Sequence, residues 1–500
     1  MRHFQMGAAL ALCALVLAAG VSLAQEGRGR GPRQNSDALQ GDRSPAGAER
    51  IGGPGRRSGA SGFHTDVPAR PLDIVLGRPT ARSITVSLQC YADSEVEIIY
   101  GTRPGALDQR TARSVLRSGQ PQHLELGGLL PDTRYYYQVR TRPAAGGEPT
   151  VTPEYSFTTA RPAGAPFTFT IQADSHLDTP TSPENYVRSL ANALSSRPDF
   201  HVDLGDTFMT DKYLDYTDAA PQYLAQRYYF GLIGHSVPVY LVLGNHDGET
   251  RTRGSDGMAL WSNGMRKRYF ANPEPNDFYT GNTTPYRDAG LLQNYYAWQW
   301  GDALFVVLDP FWYTTSPTRD GDNWPRTLGR AQYDWLSRTL ASSPARYKFI
   351  FIHHLAGGES REGRGGAEAS AFFEWGGRNL DGSDVFETKR PGWPMPVHDL
   401  LRKYKVSAVF HGHDHLYVKQ ERDGIIYQEV PQPGHAHGTT RSAEEYGYRS
   451  GVILPSPGIL RVQVDTARAQ VEYVRADASA SVADRYVILP AERTEGRAAQ

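Results

Sequence analysis

The sequence predicts a mixed α/β domain preceded by an all-β sandwich, and three observations carry that prediction. First, five apolar runs of strand length each close on polar side chains that packing has no use for. Residues 167–173 lead into Asp174-Ser175-His176, 200–205 into Asp206, and 239–244 into Asn245-His246-Asp247. Residues 348–352 lead into His353-His354, and 406–412 into His413-Asp414-His415. Second, helix-length stretches separate these runs, the order of elements in an α/β domain. Third, residues 71–159 carry short alternating runs divided by turn signals, the spacing of a sandwich. Ligands of open α/β sheets bind beyond the carboxyl ends of strands, so five strand ends point to one site.

The 500 residues allow roughly two to four domains. A formal net charge of -1 gives no support to the strongly basic surface that marks nucleic-acid or acidic-membrane binding, and binding to a nucleic-acid duplex is not expected. At the amino terminus Arg2 and His3 precede an apolar run from Met6 to Leu23, closed by Val21-Ser22-Leu23-Ala24. This is the pattern of a secretory signal peptide over residues 1–24, cut after Ala24, with a periplasmic or secreted product and no membrane-spanning segment left behind. An uncleaved anchor is the alternative, since the run nears the ~17–25 residues that span a bilayer. Cys13 leaves with the leader, and Cys90 alone forms no internal disulfide. Residues 25–68, rich in Gly, Arg, Ser and Pro, lack apolar periodicity and are expected to be a disordered linker.

Residues 69–160 form the expected sandwich, with strands near 83–89, 96–100 and 135–140. Within it Leu129-Leu-Pro-Asp-Thr-Arg-Tyr-Tyr-Tyr-Gln-Val139 resembles the fibronectin type III signature, and Tyr135 is the candidate for its tyrosine corner. With no catalytic constellation in view, the sandwich is expected to be a scaffold for the next domain. In the α/β region, residues 166–476, helices are expected over 184–195, 221–232 and 328–340. A hairpin turns at Gly301-Asp302, and a last hairpin, 458–464 with 469–475, closes a sheet. Residues 477–500 are expected to be a polar tail.

The strand-end residues Asp174, His176, Asp206, Asn245, His353, His413 and His415 offer carboxylate, imidazole and amide donors. That mixture suits Zn, Mn or Fe and suits Ca poorly. Seven donors exceed one ion, so a shared Asp206 bridging two ions, divalent or trivalent, is expected. Such a pair lowers the pKa of a water to about 7 and neutralises a phosphoryl oxygen, which sets up hydroxide attack on phosphorus.

In order, Asp174-Ser-His176, Gly205-Asp206, Gly244-Asn245-His246-Asp247, Ile352-His353-His354 and Gly412-His413-Asp414-His415 resemble the calcineurin-like metallophosphoesterases. Within them the chain resembles the purple acid phosphatase branch, which carries an amino-terminal fibronectin-like domain. The resemblance implies two packed mixed sheets with helices outside. It implies one metal on Asp174, His176, Asp206 and His415, and a second on Asp206, Asn245, His353 and His413. His354 is the alternative to His353. His246 is then the donor to phosphate or the acid for the leaving oxygen, with Asp247 orienting its ring. Purple acid phosphatases place a metal-binding tyrosine where Met209 stands here, and lack the histidine at position 176, so a colourless or weakly coloured enzyme is expected.

Substrate contacts are sought in the Gly-rich insertion after His354, where Arg361, Arg364 and Gly365-Gly366 offer to wrap a phosphate or ribose, and in His435 and His437. Trp312, Trp324, Trp375 and Trp393 offer faces for a base or sugar, or pack in the core. Three functions follow: a phosphomonoesterase acting on small molecules, a phosphodiesterase for nucleotide, glycerophosphodiester or phospholipid head groups, and a surface-binding module whose phosphoesterase domain is secondary. The oligomeric state is left open.

Overall fold

The computed structural model describes residues 62–251, 256–315, 322–358 and 364–492. The expected leader, most of the linker and Arg361 lie outside them. Where the linker is described, it lies against the α/β domain: Phe63 stacks on Tyr213 at 5.1 Å, and the His64 amide donates to the Leu177 carbonyl at 2.7 Å. The linker therefore ends before residue 68, because an aromatic side chain and a backbone hydrogen bond anchor its last residues.

The sandwich has two antiparallel sheets. Leu72–Gly77, Ile84–Cys90 and Gln122–Leu126 form one. Ser94–Gly101 and Arg134–Pro143 centre the other. Alternate residues Val96, Ile98, Tyr135, Tyr137 and Val139 face inward onto Leu76, Val86 and Leu88, the two-residue period of a half-buried strand. The Tyr135 hydroxyl accepts a hydrogen bond from the Leu130 amide at 2.9 Å, which pins the turn entering its strand.

The α/β region is built on two facing sheets. In the first, Phe167–Gln172 lies parallel to Phe200–Asp203, which lies parallel to Val239–Leu241. On its other side Gly458–Val464, Ala469–Arg475 and Val482–Ile488 continue it antiparallel. The second sheet has a parallel centre, Ala303–Val307, Tyr347–Phe351, Ala408–His411 and Ile425–Glu429. The hairpin at Gly301-Asp302 joins Tyr296–Trp300 to Ala303–Val307 as expected. Aromatic side chains fill the space between the sheets: Phe305 meets Phe169 and Phe200 edge-on at 5.2 and 5.1 Å, and Tyr240 stacks on Trp298 at 4.2 Å. Helices Arg330–Ser342 and Val397–Lys403 cover the outer face of the second sheet through Leu336, Leu340, Leu400 and Leu401.

The expected tail is corrected over Val482–Ile488, which pairs with Ala469–Arg475 as the edge strand of the first sheet. Its residues are largely exposed, so burial leaves little apolar pattern for sequence to display. Among the described residues no helix is long and apolar enough to cross a membrane.

Candidate metal centre

Parallel pairing brings the polar strand ends to one edge of each sheet, and the two edges face each other. The turns touch there. A Cβ on Gly244 would lie 2.0 Å from the Asp206 amide nitrogen, so only glycine lets the Asn245 turn approach the Asp206 turn. Asp174, Asp206, His413 and His415 hold positive φ of 56, 55, 84 and 58°, a left-handed conformation costing each about 1–3 kcal/mol. Such strain persists where surrounding contacts over-determine it, and it clusters at functional sites.

Two groups of donors result. Asp174, His176 and His415 offer atoms within 4.8 Å of one another, and so do Asp206, His353 and His413. The Nε2 atom of His353 lies 4.0 Å from Asp174 Oδ1 and 3.2 Å from Asp206 Oδ2, so the groups adjoin. Asn245 Oδ1 is 3.0 Å from the same nitrogen, which adds the amide to the second group. His354 stands outside both: its Nδ1–H donates to the Leu355 carbonyl at 2.9 Å, and its ring lies edge-on to Phe311.

The arrangement fits a pair of cations. His176 Nδ1 is committed to Asp178 Oδ1 at 2.7 Å, which turns the other ring nitrogen toward His415 Nε2, 3.2 Å away. His353 Nδ1–H likewise donates to the Leu204 carbonyl at 2.9 Å, leaving Nε2 to face Asp206 and Asn245. Buried Asp174 Oδ1 and His413 Nε2 have no hydrogen-bond partner. Converging lone pairs and orphaned buried acceptors are costly unless a positive charge sits among them. Burial opposes charge on His353, yet Asp206 and Asp174 outweigh it and push its pKa up to about 9.

At the rim, His246 is about one-fifth exposed, and its Nδ1 lies 3.0 Å from both carboxylate oxygens of Asp211. Burial lowers its proton affinity, but Asp206 and Asp211 outweigh that and raise the pKa above the ordinary value. The expectation that Asp247 orients this ring is corrected. Asp247 instead accepts from the backbone amides of Gly244, Asp206, Thr207 and Phe208 at 2.7, 3.1, 2.7 and 2.8 Å, so it fixes the two turns against each other. Burial, with Asp206 nearby, pushes its pKa up to about 7 despite those donors. Asp211 lies five residues beyond Asp206, in a 3-10 turn, and that proximity is the one sequence signal that points to it.

Residues 167–417 match the family model described as calcineurin-like phosphoesterase. The chain belongs to the calcineurin-like phosphoesterases. Residues 70–159 match the purple acid phosphatase N-terminal domain. No curated protein matches the chain. Among solved structures, a purple acid phosphatase from yellow lupin (Lupinus luteus) seeds aligns with a TM-score of 0.58 at 17% identity, covering 84% of this chain and 74% of its own. PhoD aligns with a TM-score of 0.59 at 13% identity, covering 84% and 92%. At these identities the likeness is one of fold: two packed mixed sheets behind a β-sandwich. The chain is thus a metal-dependent phosphoester hydrolase.

In this phosphoesterase the expected substrate contacts separate. His435 is half-buried, with its ring 6.5 Å from that of His415, whereas His437 is exposed and its amide donates to His435 Nδ1 at 3.1 Å. Arg364 is corrected: its guanidinium is held by the Asp414 carboxylate and donates to the His413 carbonyl at 2.8 Å, so it points into the protein. Trp312, Trp324 and Trp375 are buried, and the indole N–H groups of Trp324 and Trp375 donate to Asn379 and Tyr427 at 2.9 and 3.0 Å. Trp393 packs on Tyr333 at 4.2 Å. These tryptophans are packing residues.

Proposed function

We propose that the protein is an exported phosphomonoesterase that uses two metal ions, Zn, Mn or Fe. Asp174, His176, Asp206 and His415 would hold one, and Asp206, Asn245, His353 and His413 the other. The observation that carries this reading is the convergence of two adjoining donor groups, the second containing Asp206, beside the partly exposed imidazole of His246. When bound, two such ions lower the pKa of a water to about 7 and neutralise phosphoryl oxygens.

The chain's own residues do the rest. His246, whose proton affinity Asp206 and Asp211 raise, donates in its protonated form through Nε2–H to a phosphoryl oxygen and then gives that proton to the leaving oxygen. Asp211 stabilises the imidazolium and fixes its direction. Asp247, through four backbone amides, keeps the Asp206 and Asn245 turns in register. Burial of the donor groups keeps these interactions strong by excluding water. His176, where the tyrosine-bearing branch has no histidine, supports divalent ions and a colourless protein, since Met209 cannot act as a phenolate. The monoester assignment draws on the likeness to a protein named as a phosphatase, and export on the leader pattern of residues 1–24.

The test is hydrolysis of p-nitrophenyl phosphate and bis-p-nitrophenyl phosphate with metal content by mass spectrometry, for wild type and Asp206→Asn. We expect two metals per chain, a preference for the monoester, and collapse of both metal content and rate in the variant. A preference for the diester would replace the monoester reading. Absence of bound metal after reconstitution would overturn the scheme.

A further inference from the structure

Behind the metal centre, the Gly-rich insertion does something other than cover substrate. We infer that Arg364 is a positioning residue that clamps the His413-Asp414-His415 turn, and so sets the metal affinity of both sites at once. The inference rests on the reading above, in which His413 and His415 serve the two ions.

The contacts are specific to this turn. One edge of the Arg364 guanidinium is engaged there as a fork, Nε by the Asp414 carboxylate and Nη2 by the His413 carbonyl at 2.8 Å. Its face lies over the Tyr446 ring, 3.8 Å from the centroid. The other oxygen of Asp414 accepts from the Tyr448 hydroxyl at 2.6 Å, and the Asp414 amide donates to Glu429 Oε1 at 2.9 Å. Glu429 Oε2 is 2.7 Å from His411 Nδ1. The turn is therefore tied from the insertion, from residues 446–448 and from the neighbouring strand, none of which supplies a metal donor.

Three features make Arg364 the member on which the clamp depends. Asp414 is a buried carboxylate beside Glu429, and among the described residues the guanidinium is the one cation on it; without it a buried acid is left uncompensated in the turn. The turn must hold His413 and His415 at positive φ, which needs contacts that over-determine it. Third, a Cβ on Gly366 would lie 2.5 Å from Gln420 Oε1 and 3.3 Å from His411 Nε2. Glycine there lets the insertion lie directly on the network, which accounts for the Gly365-Gly366 pair as a packing device.

The experiment is calorimetric titration of the metal-free full-length protein with Zn²⁺, together with its melting temperature, for wild type, Arg364→Ala, Arg364→Lys and Tyr448→Phe. Outer partners of ligands are worth about 10–100-fold in metal affinity, and Arg364→Ala is expected to lose that much at both sites. Arg364→Lys should recover only part, because an ammonium cannot hold the carboxylate and the carbonyl as a fork does. Tyr448→Phe removes one hydroxyl and should weaken binding several-fold while lowering the metal-free melting temperature by only a few degrees. It carries the test if Arg364→Ala fails to fold. At saturating zinc, KM for p-nitrophenyl phosphate should stay at the wild-type value. Wild-type zinc affinity in Arg364→Lys and Tyr448→Phe would overturn the clamp, and a raised KM beside it would make Arg364 a substrate contact. If wild type itself takes up no zinc, the parent reading fails first and the clamp with it.

Discussion

His246 and its two neighbouring carboxylates divide the work at the residue scale. Asp211 meets the imidazole, while Asp247 meets only backbone amides, so their loss should look different. Asp211→Asn keeps the shape but removes the charge that holds the imidazolium, and general acid catalysis is typically worth about 10²–10⁴-fold. We expect kcat to fall on that order for an alkyl phosphate and far less for p-nitrophenyl phosphate, whose leaving group needs no proton, with zinc content unchanged. Asp247→Asn should instead lower zinc content and rates on both substrates together, because it loosens the turns that carry Asp206 and Asn245. Equal losses on the two substrates in Asp211→Asn would remove its proposed role. The seven donors were legible in sequence because each closes an apolar run, where a polar side chain has no packing value. Asp211 was not, since it meets His246, 35 positions on, through a turn that only the folded chain defines.

Helix Ala220–Gly234 shows what periodicity leaves out at the scale of elements. Its position was legible from residues 221–232, but not that it is buried on opposite sides. Gln226 donates to the carbonyls of Ser175 and Thr207, at 2.7 and 2.9 Å, beside the metal-site turns. The next residue, Arg227, reaches the other way and donates to Ser87 Oγ and its carbonyl, at 3.0 and 2.9 Å, on the sandwich. Burial lowers the Arg227 pKa to about 10, so it remains charged at neutral pH. Arg227→Ala leaves the buried Ser87 and Tyr269 carbonyls without their guanidinium donor, while Asp73 keeps Arg70 and Tyr91, and should cost about 1–3 kcal/mol, read as a lower urea midpoint. Strand Phe200–Asp203 makes a second prediction. Burial pushes the pKa of His201 down to about 3, below its unfolded value. The unfolded chain therefore binds the extra proton, so stability is full above about pH 6.5 and falls on acidification, by about 2 kcal/mol at pH 5. His201→Gln should flatten the difference between urea midpoints at pH 7 and pH 5, and an unchanged difference would show that other groups set it.

Across the whole molecule, the candidate metal centre joins the two sheets. Asp174, Asp206 and Asn245 leave strands of the first sheet, while His353, His413 and His415 follow strands of the second. The order of the motifs was legible in the chain, but which sheet each belongs to was not, because strand pairing is non-local: Phe167–Gln172 pairs with Gly458–Val464 almost three hundred residues on. Each donor group takes residues from both sheets, so ions held there would resist their separation as well as support hydrolysis. An ion that binds only the folded chain at a concentration 100 times its dissociation constant stabilises by about 2.7 kcal/mol per site. Chelation should therefore lower the melting temperature and abolish hydrolysis in parallel, and added zinc should restore both with the same concentration dependence. Because the sandwich is held through Arg227 and apolar contacts, its own unfolding should move little. The separation is readable by tryptophan fluorescence, since all eight tryptophans lie in the α/β region and none in the sandwich, against far-ultraviolet dichroism of the whole chain. A melting temperature that ignores chelation while activity is lost would mean that the ions act on substrate alone and carry none of the fold.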